Sequence, residues 1–412
     1  MNRLFLYVLF TLCLICKAQY ASAQLNGCTD PNATNYNTQA SGNDGSCIYP
    51  PTSYQPAFLA DLPTQVRETS GLIFWDGALW TINDSGNPAR LYKIDSGTGA
   101  VLQSYPLKGV TNTDWEAITQ SDSFIFIGDF GNNLGNRQDL RIIKIAKSEL
   151  LHNAADSIEN EVIYFHYPEQ QSFTPSNRNT PWDAEAFFWH KDSLHIFTKD
   201  WVREETVHYT VPGIQGNYAA QRKESFRSEG LITDVSLNPE HGHIILLGYT
   251  KTYLAFAWLL FDYPEGRFFS GNKRRLSLPA TIYIGQVEGI CFTGPYSGRI
   301  SGEAIVSNSL GINVAPKLHA FDFEPYFTPT ASTAIPGRKQ APEFRAYPSP
   351  AHDAIKITAP ADMEVFIYNS TGALSWSRSI KKGTFTVPCT TWPKGMYSIN
   401  ARGYPAIKIS IK

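Results

Sequence analysis

The sequence predicts a mainly β protein, a β-propeller followed by a small C-terminal β-sandwich. A hairpin signal of two short apolar strands that end in polar residues occurs five times, at intervals of 46, 69, 51 and 54 residues. A strand-based period near 50 residues is typical of propellers, in which each repeat forms one blade and buries its faces against the next. Unrelated hairpins in a larger sandwich would not explain the shared opening of the repeats. Five repeats are visible, and the long second interval leaves a sixth blade open.

The first repeat, residues 68–87, shows the pattern most clearly. Asp76-Gly77 supplies a tight turn between two apolar strands. The five copies align on Ser70, Glu116, Glu185, Asp234 and Glu288. The second strands end at Asp84, at Asp129 and at Lys199-Asp200, the fourth covers residues 243–248, and the fifth is expected to end at Ser307-Asn308. Residues 57–62 are predicted to be the outermost strand of the last blade, and residues 148–155 the one short helix.

Composition bounds the class of protein. The 412 residues are 42% hydrophobic and 17% charged, with a net charge of −2. This supports a large core and argues against a disordered chain. The near-neutral balance gives no electrostatic signal for nucleic acid or for an anionic membrane.

Residues 1–23 are predicted to be a signal peptide. Arg3 provides the positive start, residues 4–16 the apolar segment, and Ala21-Ser22-Ala23 the cleavage site. The apolar segment is short for a membrane span, and no other stretch is long and apolar enough. The mature chain is therefore expected to be exported, without a transmembrane segment.

Residues 24–50 form a compact unit rich in Asn and Asp. Cys28 and Cys47 are the natural disulfide pair in an oxidising compartment, which stabilises the loop by roughly 3 kcal/mol. Asp30, Asn32 and Asp44 are candidate calcium ligands, although a turn-rich loop without metal is the favoured interpretation. The GCTDP…NYN…DGSC pattern resembles a module of secreted Bacteroidetes proteins, similar in appearance to thrombospondin type 3 calcium repeats. Cys291 and Cys389 are expected to be free, buried thiols.

Residues 51–327 are assigned to the propeller, 328–343 to a Pro-rich linker and 344–412 to a terminal β domain. The pattern YPSP…VFIYNSTG…WPKGMYSIN…K resembles the C-terminal sorting domain of type IX secretion cargo, with Ser349 and Trp392 as departures. The residues of this pattern are Tyr347, Pro348, Pro350, Tyr368, Asn369, Gly372, Gly395, Tyr397 and Lys408. The resemblance implies recognition by the secretion machinery, and a final location outside the cell or on the outer-membrane surface.

Carboxylates recur with the blade period and are the candidate site residues. The set comprises Glu68, Asp114, Glu116, Asp183, Glu185, Asp234 and Glu288 near the first strands, and Asp84, Asp129 and Asp200 at the ends of the second strands. If they line one channel mouth, a cation such as calcium is needed between them. Arg90, Arg137, Lys199 and Arg203 are candidates to hold an anionic group. The favoured alternative is that each carboxylate caps backbone N–H groups of its own blade.

The repeats ETSGL…LWTINDSG, DWEAI…FIGDFGNN and DAEAFF…FTKDW resemble phytase-like and quorum-regulator-associated propellers of unknown activity. Propellers host many functions, so this resemblance leaves the chemistry open. No Gly-x-Ser-x-Gly or His-Glu-x-x-His motif occurs.

The favoured function is a secreted binding or interaction module. A calcium-dependent hydrolase of phosphoesters or other small anions is one alternative. A carbohydrate-binding propeller is another, suggested by Trp75, Trp115, Trp182 and Trp201 as exposed aromatics.

Overall fold

A computed structural model describes residues 25–151, 157–327, 344–401, 404 and 406–412. The chain divides into two compact units, residues 1–330 and 331–412. The predicted signal peptide and the predicted linker lie outside the described residues.

The first described segment is the disulfide-closed module. It contains the short parallel strands β1 (Asn26–Gly27) and β2 (Gly42–Asn43) and the predicted Cys28–Cys47 disulfide. The module is fixed to the body that follows, because Asn43 Nδ2 donates to the Asp262 carbonyl oxygen over 2.9 Å. Two further strands, β3 (Thr52–Ser53) and β4 (Ala57–Asp61), lead away from it.

Five sheets follow in chain order, and each is one blade. Blade 1 contains β5 (Thr69–Trp75), β6 (Ala78–Asn83), β7 (Arg90–Ile94) and β8 (Val101–Pro106). Blade 2 contains β9 (Trp115–Gln120), β10 (Phe124–Asp129), β11 (Arg141–Ala146) and β12 (Glu161–His166). Blade 3 contains β13 (Asp183–His190), β14 (Ser193–Lys199), β15 (Thr206–Pro212) and β17 (Gln221–Phe226), while β16 (Gly216–Ala219) crosses to pair with β12.

Blade 4 contains β18 (Leu231–Asn238), β19 (His243–Tyr249), β20 (Leu254–Phe261) and β21 (Asn272–Ala280), with β3 as a fifth strand. Blade 5 contains β22 (Gln286–Phe292), β23 (Ser297–Glu303) and β26 (Lys317–Asp322). The hairpin of β24 (Ile305–Ser307) and β25 (Ile312–Val314) extends from blade 5.

The five sheets form a closed ring. Each first strand packs against the first strand of the next blade, and β22 of blade 5 packs against β5 of blade 1. Strand β4 completes blade 5 by pairing with β26, as the sequence predicted. The open question of a sixth blade is answered for the described residues, because residues 167–182 of the long second interval contain no strand.

The core is distributed between the blades. Five separate clusters of buried apolar side chains lie between successive pairs of blades. On β10, Phe126 packs toward blade 3, whereas Ile125 and Ile127 pack toward blade 1. Alternate residues of a strand point to opposite faces, so each blade buries both faces only when it has two neighbours.

Helices are few and short. They are α1 (Lys147–Leu151), α2 (Thr281–Ile284) and α3 (Glu324–Phe327), together with 3₁₀ turns at Thr64–Val66 and Phe268–Ser270. The predicted helix at 148–155 corresponds to α1, and residues 152–156 lie outside the described part. No helix in the described residues combines the length and hydropathy needed to cross a membrane.

The second unit is the predicted small β-sandwich. Its strands are β27 (Arg345–Tyr347), β28 (Ala354–Ala359), β29 (Met363–Asn369), β30 (Leu374–Ile380), β31 (Gly383–Pro388), β32 (Gly395–Ala401) and β33 (Ile407–Ile411). They form sheets of three and four strands around one apolar core. Asn369 Oδ1 accepts hydrogen bonds from the backbone N–H groups of Thr371 and Ala373, which orders the turn at Gly372. Tyr397 donates its hydroxyl to the Pro393 carbonyl over 2.8 Å.

Candidate functional site

A β-bulge recurs near the start of the first strand of the blades. The register of β9 with β10, of β13 with β14, and of β22 with β23 skips one residue on the first strand. The skipped residues are Glu116, Glu185 and Glu288. A bulge re-aims the side chain of the unpaired residue. The bulges therefore turn three glutamates out of the ladders at the same end of the ring.

These glutamates meet acidic side chains from the ends of the second strands and the adjoining loops. We name the group of Glu68, Asp84, Asp114, Glu116, Glu185, Glu288 and Glu303, with Lys199, the acidic mouth. Each member either shifts the pKa of another member or has its own pKa shifted by one. These electrostatic interactions link Glu116, Glu185 and Glu288 to one another through Asp84 and Lys199. The mouth thus collects residues from blades 1, 2, 3 and 5.

Three carboxylates of the mouth have the geometry of a cation site. One oxygen each of Asp84, Asp114 and Glu116 lie within 4.8 Å of one another. Oxygen ligands lie about 2.3–2.6 Å from Ca²⁺, so oxygens on opposite sides of one ion are about 5 Å apart. Gly131 packs directly against Glu116 Oε1 and the Asp114 carboxylate, and a Cβ added at this glycine would occupy their space. The backbone is therefore shaped to admit both carboxylates.

A second part of the mouth is centred on Lys199. Its Nζ donates to Glu185 Oε1 and lies 3.3 Å from the Tyr249 hydroxyl. Gln286 Nε2 donates to Glu288 Oε1 and to Glu303 Oε1 over 2.8 and 2.5 Å. Among the described residues no donor reaches the buried Oε2 atoms of Glu185 and Glu288. Unpaired carboxylate oxygens in a buried position are costly, and a cation would satisfy them.

The pKa values of the mouth show how much charge has been concentrated. Burial, followed by repulsion from Asp84 and Asp183, raises the pKa of Asp114 to about 7. Burial, with Asp84 and Glu185, raises the pKa of Glu303 to about 8. The same causes raise the pKa of Glu116 well above its ordinary value. Burial alone would lower the pKa of Lys199, but Glu185 and other acidic neighbours raise it.

Three of the candidate carboxylates are occupied by structural bonds. Both oxygens of Asp129 pair with arginines, Arg137 at 3.0 Å and Arg141 at 2.8 Å. Asp183 accepts from Trp201 Nε1 and from the backbone of blade 2, and Asp200 caps the turn that follows it. The contacts of these residues hold the fold together, which is the structural role that the alternative interpretation gives to the recurring carboxylates.

The alignment of the fourth repeat on Asp234 was wrong by one residue. The register of β18 skips Thr233, so Thr233 occupies the position that holds glutamate in three other blades. Asp234 accepts instead from the backbone N–H of Ile290 on β22 over 2.6 Å and from its neighbour Val235. It joins blade 4 to blade 5 and does not enter the mouth. A bulge cannot be located from apolar spacing alone, because it shifts the register by one residue.

The expected end of the fifth hairpin at Ser307-Asn308 was also wrong. Strand β23 ends at Glu303, and Ser307 lies in the side hairpin formed by β24 and β25. Glu303 was consequently missed, and so was Tyr249 at the end of β19. Both follow the opening residue of their repeat by 15 positions, close to the offsets of Asp84 and Lys199. This similar offset in every repeat was the signal that could have identified them.

The four candidate anion-holding residues are already engaged. Arg137 and Arg203 pair with Asp129 and Asp200, and Arg90 donates to Ser104 Oγ over 2.9 Å. Lys199 alone among them lies inside the mouth, where it pairs with Glu185. An anion reaching this mouth would therefore depend on a bound cation.

The candidate calcium ligands of the N-terminal module are used within their own turns. Asp30 accepts from the backbone of Asn32 over 2.9 Å and from the Tyr49 hydroxyl over 2.6 Å. Asp44 accepts from the backbone of Ser46. Within the described part of the chain, Asp84, Asp114 and Glu116 are the one group of three acidic, His or Cys ligands that converges. The module shows no such convergence.

The aromatic residues expected to be exposed are not. Trp115 is fully buried and Trp201 is 9% exposed, while Trp75 and Trp182 are half-buried. Trp115 begins the first strand of blade 2 and packs in the cluster between blades 1 and 2. These residues therefore serve blade packing.

Comparison with known proteins identifies the second unit. Residues 345–409 match the family described as the secretion system C-terminal sorting domain. This type IX secretion tail indicates export to the cell surface or the extracellular space, and interaction with the secretion machinery. A comparison with curated proteins found no match.

Solved structures of several propeller-like proteins show weak similarity. PorZ of Porphyromonas gingivalis, an essential surface component of the type IX secretion system, is 11% identical with a TM-score of 0.31; the match covers 84% of this chain and 45% of PorZ. An exo-β-1,3-galactanase from Phanerochaete chrysosporium is 9% identical with a TM-score of 0.40, covering 86% and 97%. A GH43 β-xylosidase/α-arabinofuranosidase from a compost metagenome is 12% identical with a TM-score of 0.37, covering 66% and 95%.

Proposed function

We propose that this type IX-exported chain is an extracellular or surface-held binding propeller that holds calcium in its acidic mouth and recognises its ligand through that ion. The observation that carries the proposal is the convergence of Asp84, Asp114 and Glu116 oxygens within 4.8 Å. The buried Glu185 Oε2 and Glu288 Oε2 atoms, which have no hydrogen-bond partner among the described residues, independently support a cation nearby. The resemblance to phytase-like propellers remains a prediction beside it.

The chemistry favours a hard cation. The mouth offers carboxylate oxygens and no sulfur or imidazole among its defined members, which is the ligand preference of calcium. Seven carboxylates face one buried ammonium, so a divalent ion relieves repulsion that otherwise forces protonation. The ion would lie where Asp84 and Asp114 remain partly exposed, and the deeper Glu116 would support it from below.

The number of carboxylates available to the ion predicts how a ligand is recognised. Calcium takes six to eight oxygen ligands, and three carboxylates leave coordination positions open even if one of them is bidentate. Ligand oxygens can complete the shell. The chemical class is therefore an oxygen-rich group, such as adjacent hydroxyls of a glycan or a phosphate. A glycan bound through the ion would satisfy both the binding-module hypothesis and the carbohydrate-binding hypothesis at one site. Such a site does not depend on exposed tryptophans.

Isothermal titration of calcium into the chelator-treated protein tests the proposal. We expect one site in the wild type and a loss of affinity of at least tenfold in Glu116→Gln, which keeps the side-chain shape and removes the charge. Glu265→Gln is the matched control, because Glu265 is exposed and pairs with Lys191 outside the acidic mouth. A glycan array with and without calcium then tests recognition. Equal calcium binding by wild type and Glu116→Gln would refute the site.

A calcium-dependent hydrolase of phosphoesters is a second candidate. The observation that favours it is that Glu185 Oε2 has no donor in the described part of the chain, and that Glu185 acts electrostatically on Glu116. A carboxylate with a raised pKa beside a cation can accept a proton from an attacking water. The test is hydrolysis of p-nitrophenyl phosphate by the calcium-loaded protein, with Glu185→Gln and chelator as comparisons. Undetectable turnover in the wild type leaves binding as the function.

A further inference from the structure

The opposite end of the ring contains a cavity of about 790 Å³. Its lining includes a buried residue from the first strand of each blade: Leu72, Ile118, Phe188, Val235 and Cys291. They form an apolar floor across the axis. The residues nearer solvent lie at the far ends of the first strands and include the half-buried aromatics Phe74, Trp189 and Phe292. We name this cavity the apolar funnel.

One charged side chain in the funnel has no counter-ion among the residues that the structure describes. Lys147 lines the cavity and is only 7% exposed. Its Nζ donates to Gln120 Oε1 over 2.8 Å and to the Ser121 carbonyl over 2.7 Å, and it lies 5.0 Å from the centre of the Trp75 ring. No carboxylate within the described residues reaches ion-pair distance. The nearest acidic influence is Asp122, which is exposed.

The other lysines of the lining differ from Lys147. Lys144 pairs with Glu161 over 2.9 Å, and Lys191 pairs with Glu265 at the exposed rim. Of the three lysines in the lining, Lys147 is the one that has only neutral hydrogen-bond acceptors within the described residues. An ammonium has three donors, and two of them are used. Burying an uncompensated charge is costly, and an arriving anion would remove that cost.

We propose that the apolar funnel is a second binding site, for an amphipathic organic anion with an apolar or aromatic body and one carboxylate, sulfonate or phosphate group. The body would pack on the floor and on Trp189, and the anionic group would accept the third hydrogen bond of Lys147. Trp189 is held for such contact by stacking on Phe126 at 5.3 Å and by the hydrogen bond from its backbone N–H to Thr119 Oγ1.

The volume and the chemistry agree with this class. Small-molecule sites typically enclose about 300–1,000 Å³ and combine apolar walls with a few fixed polar groups. Thr119 and Ser236 also belong to the lining, and each hydroxyl accepts one backbone hydrogen bond, which leaves its own proton to donate. Burial lowers the pKa of Lys147 to about 8, which a bound anion would reverse.

Two fluorescent probes of similar shape test the inference. 8-Anilinonaphthalene-1-sulfonate carries an anionic group on an aromatic body, and N-phenyl-1-naphthylamine lacks the charge. We expect the full chain to bind both. Lys147→Met should weaken the sulfonate about tenfold and leave the neutral probe unchanged, because the variant keeps the stem and removes the charge. Lys108→Met is the matched control and should change neither, because Lys108 is exposed, pairs with Glu159 and lies outside the lining.

A cavity-filling variant locates the probes. Ser236→Phe should abolish binding of both probes while near-UV circular dichroism stays native. Calcium titration of Lys147→Met should match the wild type, which separates this site from the acidic mouth. The inference is overturned if the wild type binds no sulfonate probe, if Lys147→Met binds it equally well, or if a folded Ser236→Phe retains both probes.

Discussion

The two ends of the propeller ring are built from the same strands and have opposite chemistry. Strand β9 has Glu116 at one end and Gln120 at the other, about 13 Å apart at 3.3 Å per residue. Glu116 enters the acidic mouth, and Gln120 holds Lys147 in the apolar funnel. Between them Ile118 belongs to the apolar floor. A propeller can therefore separate two sites without a second domain, because each strand crosses the whole thickness of the ring.

The buried cations of the two ends differ in the same way. Lys199 is neutralised by Glu185 and surrounded by further carboxylates, whereas Lys147 is held by an amide oxygen and a carbonyl. The acidic mouth has excess negative charge and needs a cation, while the funnel has an uncompensated ammonium and suits an anion. A buried lysine thus accompanies a site for a cation at one end and a site for an anion at the other, depending on the charges of its neighbours.

The largest expected difference between the two ends is in stability. Lys199→Met should lower the free energy of unfolding by about 3–5 kcal/mol, because it leaves Glu185 buried and unpaired. Lys147→Met should lower it by only about 1 kcal/mol, since the acceptors it leaves are neutral. Urea unfolding of both variants in chelator, followed by near-UV circular dichroism, measures the two values. Equal losses would contradict the contrast between the ends.

The next effect tests the backbone around the cation site. Gly131→Ala places a methyl group 2.5 Å from Asp114 Oδ2 and against Glu116 Oε1, so the carboxylates must separate. We expect calcium affinity to fall at least about tenfold by isothermal titration, with sulfonate-probe binding unchanged. Gly97→Ala is the control, because its methyl would lie 3.6 Å from its nearest neighbour, Asp95 Oδ1. Unchanged calcium affinity in Gly131→Ala would place the ion elsewhere.

Raising the pH should weaken anion binding in the funnel. The ammonium of Lys147 must be protonated to bind the sulfonate, and its pKa is lowered by burial to about 8. Between pH 7 and pH 9 the affinity of the sulfonate probe should therefore fall by about five- to tenfold. Fluorescence titration of the wild type and Lys147→Met across this range measures the slope. The variant should show none, and a rising affinity in the wild type would reverse the assigned sign.

The smallest effect concerns the exposed acidic neighbour of Lys147. Asp122 acts on the lysine through solvent, without an ion pair. Asp122→Asn should raise the affinity of the sulfonate probe about twofold at low salt, and less at high salt. Titrations at two ionic strengths measure it. A decrease in affinity would show that Asp122 supports the lysine in some other way.

Much of the fold was accessible from spacing. The five openings at Ser70, Glu116, Glu185, Asp234 and Glu288 each fall on the first strand of a blade, and residues 57–61 close the ring as expected. The C-terminal pattern was specific enough for the sorting domain to be identified from sequence, and residues 345–409 match that family. Periodicity of strands and turn residues is local information, and the chain carries it directly.

The site was accessible only in part. The period predicted acidic residues at the blade openings, but it could not separate Glu116 from Asp129, since both recur as carboxylates near strand ends. Asp129 is neutralised by Arg137 and Arg141, whose contacts with it depend on how loops and strands return in space. No sequence pattern pointed to Lys147, because its importance comes from the neutral side-chain and backbone acceptors that surround it in space. Charge balance is a sum over spatial neighbours, which linear spacing does not give.

By itself, the sequence determined the class of the protein: an exported chain, a ring of strand repeats, a disulfide-closed module and a sorting tail. The tertiary structure decided which repeated carboxylates meet, which are neutralised by arginine, and which buried lysine has no counter-ion within the described residues. The physical reason is the bulge at the start of the first strands. A single unpaired residue turns Glu116, Glu185 and Glu288 into the channel, whereas Asp234, one position later, bonds to the backbone of the next blade.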